Sequence, residues 1–309
     1  RHGAHRRVVA RRGLPRSKQL GGARIVNWAA AAKAAFGLSL AVLVFGSGLG
    51  ARFTDVIALL RRPGLLARSL VAVLVVAPVL AVALVRVFDL NREVAIALVA
   101  LAISPLPPLL PNRGEKAGGR TDYGVSLVFI LAVLGVPMIA ISAVIMESLF
   151  GRDYVVAPWS IGRLLILSIL MPLLAGMAVA RIAPAIARRL SGPIERVQRW
   201  LLPIAMIALV ISAAPRMVSL FGSHTLTAVG IFVVGSFAVG HLLGGPDRRD
   251  AAVLAFATSC RHPATALALA SANFPDANEH AAVALYGLVT AVVGAVYTLW
   301  LRRYRAAVG

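Results

Sequence analysis

The chain has 309 residues, of which 59% are hydrophobic and 14% charged, and its mean hydropathy is +0.84. Soluble domains run nearer half apolar and a quarter charged, so the composition excludes a soluble protein and leaves no room for a separate soluble domain. The net charge of +20 sits mostly in short loops, as a positive-inside membrane protein requires, and this argues against a nucleic-acid surface.

Residues 1–24 hold eight Lys/Arg and no apolar core of signal-peptide length. Residues 1–27 are therefore read as a basic tail, disordered or not native, ahead of a single transmembrane domain over 28–309. Hydropathy predicts an all-α protein of nine spans: 28–49, 64–86, 94–112, 122–147, 160–182, 200–220, 224–244, 251–273 and 280–301. Following the chain through them puts five basic clusters on one side. These are Arg52, Arg61, Arg62 and Arg68; Arg113, Lys116 and Arg120; Arg181, Arg188, Arg189, Arg196 and Arg199; Arg248 and Arg249; and Arg302, Arg303 and Arg305. That side is predicted to be cytoplasmic, with the C-terminus inside, in a bacterial inner membrane. The same rule is broken by the Arg-rich tail, which falls outside. A first span missing before residue 28 would restore it.

The third and eighth spans are each interrupted. The third carries Ser104-Pro105-Leu106-Pro107-Pro108; the eighth carries Thr258-Ser259-Cys260-Arg261-His262-Pro263. Proline at bilayer depth frees backbone carbonyls, which is tolerated only where protein or a water-filled cavity surrounds the break. An offset of five spans makes corresponding helices run in opposite directions. Halves 28–148 and 158–303 are thus predicted to be inverted repeats, with the breaks marking a carrier's binding site.

Arg261 is the costliest residue in the chain, since a charge at bilayer depth costs about 2.5–3.5 kcal/mol on insertion scales. It either pairs with carbonyls freed by Pro263 and holds the break, or faces a central cavity and binds an anion through its fork of donors. The second role is the one carried into the functional expectation. The half-helix beginning near Pro263 would aim its positive end at the same anion. His262 reads as a neutral histidine on a backbone carbonyl, with a proton relay as the other reading. Thr258, Ser259 and Cys260 read as cappers of the preceding half-helix and as weaker candidate ligands, with Ser104 their counterpart in the first break. Pro105, Pro107, Pro108 and Pro263 are the helix breakers.

None of the twelve acidic residues lies mid-span, so a buried cation site would have to use carbonyls and hydroxyls. The single cysteine, Cys260, excludes an internal disulfide and a cysteine metal cluster. No metal-ligand or nucleophile–base spacing is present, so no enzyme, cofactor or metal is expected. His241 reads as a packed side chain, and Gly46, Gly48 and Gly50 as close helix contacts.

The pattern resembles the bile acid:sodium symporter family over roughly residues 25–303. The resemblance rests on Gly48-Leu49, Phe53 and Arg61-Arg62-Pro63, on Ser104-Pro105, and on the run Ala257 to Leu269 followed by Asn273-Phe274-Pro275. It implies ten helices in two inverted repeats, with a core domain whose two broken helices cross at mid-membrane beside a panel domain. In the family the second crossing helix carries a sodium-binding glutamate and glutamine, and here those positions hold Ala257 and Arg261. In an ungapped reading of the first crossing helix, Leu110-Pro111 replaces a Ser-Asn pair, and Ser126 keeps one hydroxyl position as a weak sodium candidate. These departures count against sodium coupling, and a fixed guanidinium would stand where the cation sits.

The expected function is secondary transport of a small organic anion by alternating access within the lipid bilayer, with homo-oligomerisation left open. Two rivals remain at this point. One is an export permease for a metalloid oxyanion, for which Cys260 is the only pointer. The other is a non-transporting receptor or scaffold with a vestigial carrier fold.

Overall fold

A computed structural model describes residues 41–42, 44–107, 110–151, 163, 166–220, 224–274 and 279–308. The tail over 1–27 and most of the first predicted span lie outside these residues. The described chain is helical, without a strand.

Residues 44–50 close the first span and lead through the short helices Phe53–Val56 and Leu59–Arg61 into α1, Pro63–Val87. Then come α2 (Arg92–Ile103), α3 (Leu110–Lys116), α4 (Thr121–Phe150), α5 (Met171–Ile182), α6 (Pro184–Leu220), α7 (Thr225–Gly244), α8 (Arg248–Ser259), α9 (Pro263–Asn273) and α10 (His280–Val308). Among the described residues α1, α7 and the stretch His280–Tyr304 of α10 are long and apolar enough to cross a membrane; Thr121–Gly135 and Met171–Ile182 are shorter apolar helices. These fall on predicted spans.

One stretch departs from expectation. Residues 184–199, read as a basic loop, are helical, and α6 runs 37 residues without interruption from Pro184. Proline is well placed at a helix start, where its missing N–H has no partner to lose. Hydropathy marks where the apolar part of a helix ends, and a polar helix can continue beyond it.

The broken helices occupy the interior. Val94–Ala102 of α2 and Asp250–Ser259 of α8 are buried on every side. A helix that is buried all round must present small or apolar residues in all directions, and the alanines of both helices do so. α2 packs on α9 and α1, α3 on α8 and α4, and α7 on α8 and α10. The α7–α8 contact is backbone to backbone. A Cβ on Gly240 would lie 2.5 Å from the Leu254 carbonyl oxygen, and one on Gly244 2.3 Å from the Ala251 Cα. Small residues four apart allow this approach, which van der Waals packing rewards in a bilayer.

Candidate functional site: the crossing of two broken helices

Each proline in the two breaks removes an N–H that a continuing helix would have used, and the structure shows what takes its place. At the first break, Pro105 cannot donate to the Leu101 carbonyl. Ser104 answers that carbonyl twice, through its own N–H at 3.1 Å and its hydroxyl at 2.7 Å. The Ser104 carbonyl would be met three or four residues on by Pro107 or Pro108, neither of which has an N–H. At the second break Pro263 orphans the Ser259 carbonyl in the same way, and the buried Tyr286 hydroxyl of α10 donates to it.

Arg261 is buried at 3% exposure, and both of its terminal nitrogens go to orphaned carbonyls on other elements. Nη1 donates to Ser104 at 3.4 Å and Nη2 to Val73 at 2.9 Å. Val73 lies in a π-helical stretch of α1, Val71–Val76, where Ala77 N–H reaches back five residues to Ala72. The next bond in that register would run from residue 78 to Val73, and residue 78 is proline. One guanidinium thus serves carbonyls orphaned by prolines of two different helices. Its Nε has no partner, and among the described residues no carboxylate pairs with it.

The breaks touch directly. The His262 N–H lies 3.2 Å from both the Pro105 carbonyl and the Ser104 hydroxyl. The Arg261 N–H donates to the Tyr286 oxygen at 2.9 Å. The His262 ring caps α9, its Nδ1 accepting from the Thr265 N–H at 3.2 Å with the Thr265 hydroxyl at the same distance. A backbone N–H can only donate, so Nδ1 is unprotonated here. The sequence reading put this ring on a backbone carbonyl; the structure puts it on a backbone N–H.

Ser104, Arg261 and His262 are brought together. Thr258 and Ser259 flank them but turn their hydroxyls back on their own helix, to Leu254 and Ala255, each at 2.8 Å. The helix thereby satisfies them locally, as serine and threonine side chains do when buried. Cys260, 2% exposed, accepts from Arg113 Nη1 of α3 at 3.3 Å. Pro105 and Pro107 each contribute a carbonyl within the first break, Pro107 accepting from the Leu110 N–H at 3.1 Å; Pro108 lies outside the described residues. Ser126 is engaged elsewhere: it donates to the Val56 carbonyl at 2.7 Å and accepts from the Leu59 N–H at 3.0 Å. It fastens the connection into α1 to α4.

Three contributors escaped the sequence reading: Tyr286, Arg113 and the Val73 carbonyl. For Val73 a signal was present, since Pro78 interrupts an otherwise uniform apolar span. Tyr286 is a tyrosine in an apolar helix, and buried tyrosine hydroxyls need a partner. For Arg113 there was none, because it reads as one more cation of a cytoplasmic cluster.

No curated protein matches the chain. The Sodium Bile acid symporter family does, over residues 37–240, a stretch that contains the first break and lies ahead of the second. That match covers less than the 25–303 of the resemblance, but it takes in the first broken helix and α1, which packs on it. The chain therefore belongs to the Sodium Bile acid symporter family, whose members are membrane transporters rather than enzymes.

Proposed function

We propose that this protein is a secondary carrier that moves a small organic anion by alternating access without using sodium. The observation that carries the reading is the buried guanidinium of Arg261 at the meeting of the two breaks, with carbonyls and, among the described residues, no carboxylate paired with it. Carbonyl dipoles solvate the charge and leave its sign intact. A monovalent anion 4 Å away would gain about 4 kcal/mol at an effective dielectric of 20, before its own desolvation. Where the family pattern has a glutamate and glutamine holding sodium, Arg261 supplies a permanent positive charge.

Arg261 is enclosed, whereas Arg113 is half-buried. In this reading Arg113, anchored on Cys260, meets the anion first, and Arg261 sets the potential behind it. The halves 28–148 and 158–303 act as inverted repeats of the nine spans, and two bundles rock about the crossing. The basic clusters then face the cytoplasm of a bacterial inner membrane, with the C-terminus inside.

The test is thermal stabilisation of the purified protein in liposomes by a panel of carboxylates, with and without sodium, for wild type, Arg113→Gln and Arg261→Lys. Stabilisation that ignores sodium and weakens in Arg113→Gln is expected. Stabilisation that requires sodium and survives both substitutions would refute the reading.

A further inference from the structure

Away from the crossing, a cavity of about 410 Å³ opens beside α5, with Arg52 and Arg181 at its mouth. Its construction follows from two glycines. A Cβ on Gly48 would lie 2.3 Å from the Leu173 carbonyl oxygen, and one on Gly176 2.2 Å from that of Phe45. The helix over 44–50 and α5 therefore meet backbone to backbone. Beyond this contact the first chain leaves its helix at Ala51 and Arg52, while α5 continues to Ile182. The space between them has an apolar floor of Ala51 and Met177, both of which belong to a small buried cluster separate from the main core.

The mouth is cationic. Arg52 and Arg181 are exposed, and the only ion pair among the described residues, Arg62 with Asp250, involves neither. The nearby Asp55 carboxylate accepts the backbone N–H of Arg52 at 2.7 Å. The wall at Leu174 is apolar and exposed, and beyond the cavity the same helical stretch continues that exposed apolar face through Met171 and Leu167. In a bilayer such a face is covered by acyl chains.

Two guanidiniums at the rim of an apolar, laterally open cavity suit one kind of occupant. We propose that the cavity holds an anionic phospholipid, its phosphate between Arg52 and Arg181 and the start of a chain along Leu174 and Met171. Guanidinium matches phosphate oxygens in paired hydrogen bonds, and basic pockets between membrane helices take anionic headgroups. The volume falls within the ~300–1,000 Å³ typical of ligand pockets. A soluble anion would gain nothing from the apolar floor and flank. The lipid would join the helix over 44–50 to α5 at the small cluster, leaving the crossing untouched.

The experiment uses the full chain in detergent, with phosphatidylglycerol, phosphatidylcholine or inorganic phosphate added. Thermal midpoints are measured and retained lipids are counted by native mass spectrometry, for wild type, an Arg52→Gln/Arg181→Gln double variant, and Ala178→Trp, which fills the cavity. Phosphatidylglycerol is expected to raise the wild-type midpoint by several degrees and remain bound, with phosphatidylcholine ineffective. Both variants should keep the lipid-free midpoint and lose the increment. Equal increments in wild type and the double variant, an increment from phosphate alone, or no retained phosphatidylglycerol would each overturn the proposal.

Discussion

Tyr286→Phe removes one oxygen atom and leaves the ring, which packs against Phe232 with centroids 6.2 Å apart. That oxygen donates to the Ser259 carbonyl and accepts the Arg261 N–H at 2.9 Å, all of it buried. The substitution therefore strands two backbone groups at once, one an acceptor orphaned by Pro263 and the other a donor in the break. A buried group left unpaired costs about 1–3 kcal/mol, so the pair sums to about 2–6. The lower half, about 2–4 kcal/mol, is the expectation, because the Arg261 N–H can shift toward another acceptor at the break. At roughly 2–4 °C per kcal/mol, the value for large single domains, the midpoint should fall by roughly 4–16 °C. The assay is thermal unfolding of purified protein in detergent, with Tyr297→Phe as the comparison. The Tyr297 hydroxyl meets His241 Nδ1 at 2.6 Å in a part-buried position, a single neutral bond worth about 1 kcal/mol. If Tyr286→Phe unfolds at the wild-type midpoint, or no lower than Tyr297→Phe, the account of the break as a set of rescued carbonyls is wrong.

Three further outcomes follow from other parts of the molecule. Arg62 bonds the buried Asp250 through both terminal nitrogens, at 3.1 and 2.5 Å, and Arg62→Gln should cost about 1–3 kcal/mol, reduced from the fully buried case because Arg62 is 41% exposed. The hydrogen bond to Asp250 holds the Arg62 pKa above its ordinary value against an opposing pull from burial. A raised folded pKa means the contribution is complete below the ordinary arginine range and is lost only above it. Denaturation at mildly acidic and mildly alkaline pH should therefore show the same cost, and a cost that shrinks in mild alkali would contradict this. Gly176→Ala puts a methyl 2.2 Å from a backbone oxygen and should destabilise by about 1–3 kcal/mol, whereas Gly192→Ala, with open space around it, should be neutral or stabilising in the same unfolding assay. Cys260 is the sole thiol and is 2% exposed, so a permeant maleimide should label the resting protein slowly and Arg113→Ala faster, as read by intact mass; equal rates would remove Arg113 from its place over the sulfur.

The positions of the breaks were legible because proline acts on its own backbone. Pro105 and Pro263 stand beside polar residues within apolar spans, which marked them apart from prolines such as Pro137 and Pro203 that a helix accommodates, and their place already required protein around them. The all-helical class followed equally, since lipid admits only helices and closed barrels, and continuous apolar runs of about 20 residues suit a spanning helix rather than a strand. The helical stretch over 184–199 was missed because its exposed Arg188, Arg189 and Arg196 resemble a loop in hydropathy. Helical backbone bonds form regardless of which solvent the side chains face.

Composition and local pattern were thus enough to establish a polytopic membrane protein with two interrupted helices and a charged residue at the second interruption. They could state that Pro105, Pro263 and Pro78 leave carbonyls without donors, because that deficit is covalent. Which group makes it good was decided only by the fold. Arg261 lies 157 residues from Ser104 and 188 from Val73, and Tyr286 answers Ser259 from another helix. Hydrogen bonds act over about 3 Å of space and are indifferent to distance along the chain. The sequence therefore names the unsatisfied groups, and tertiary packing selects their partners.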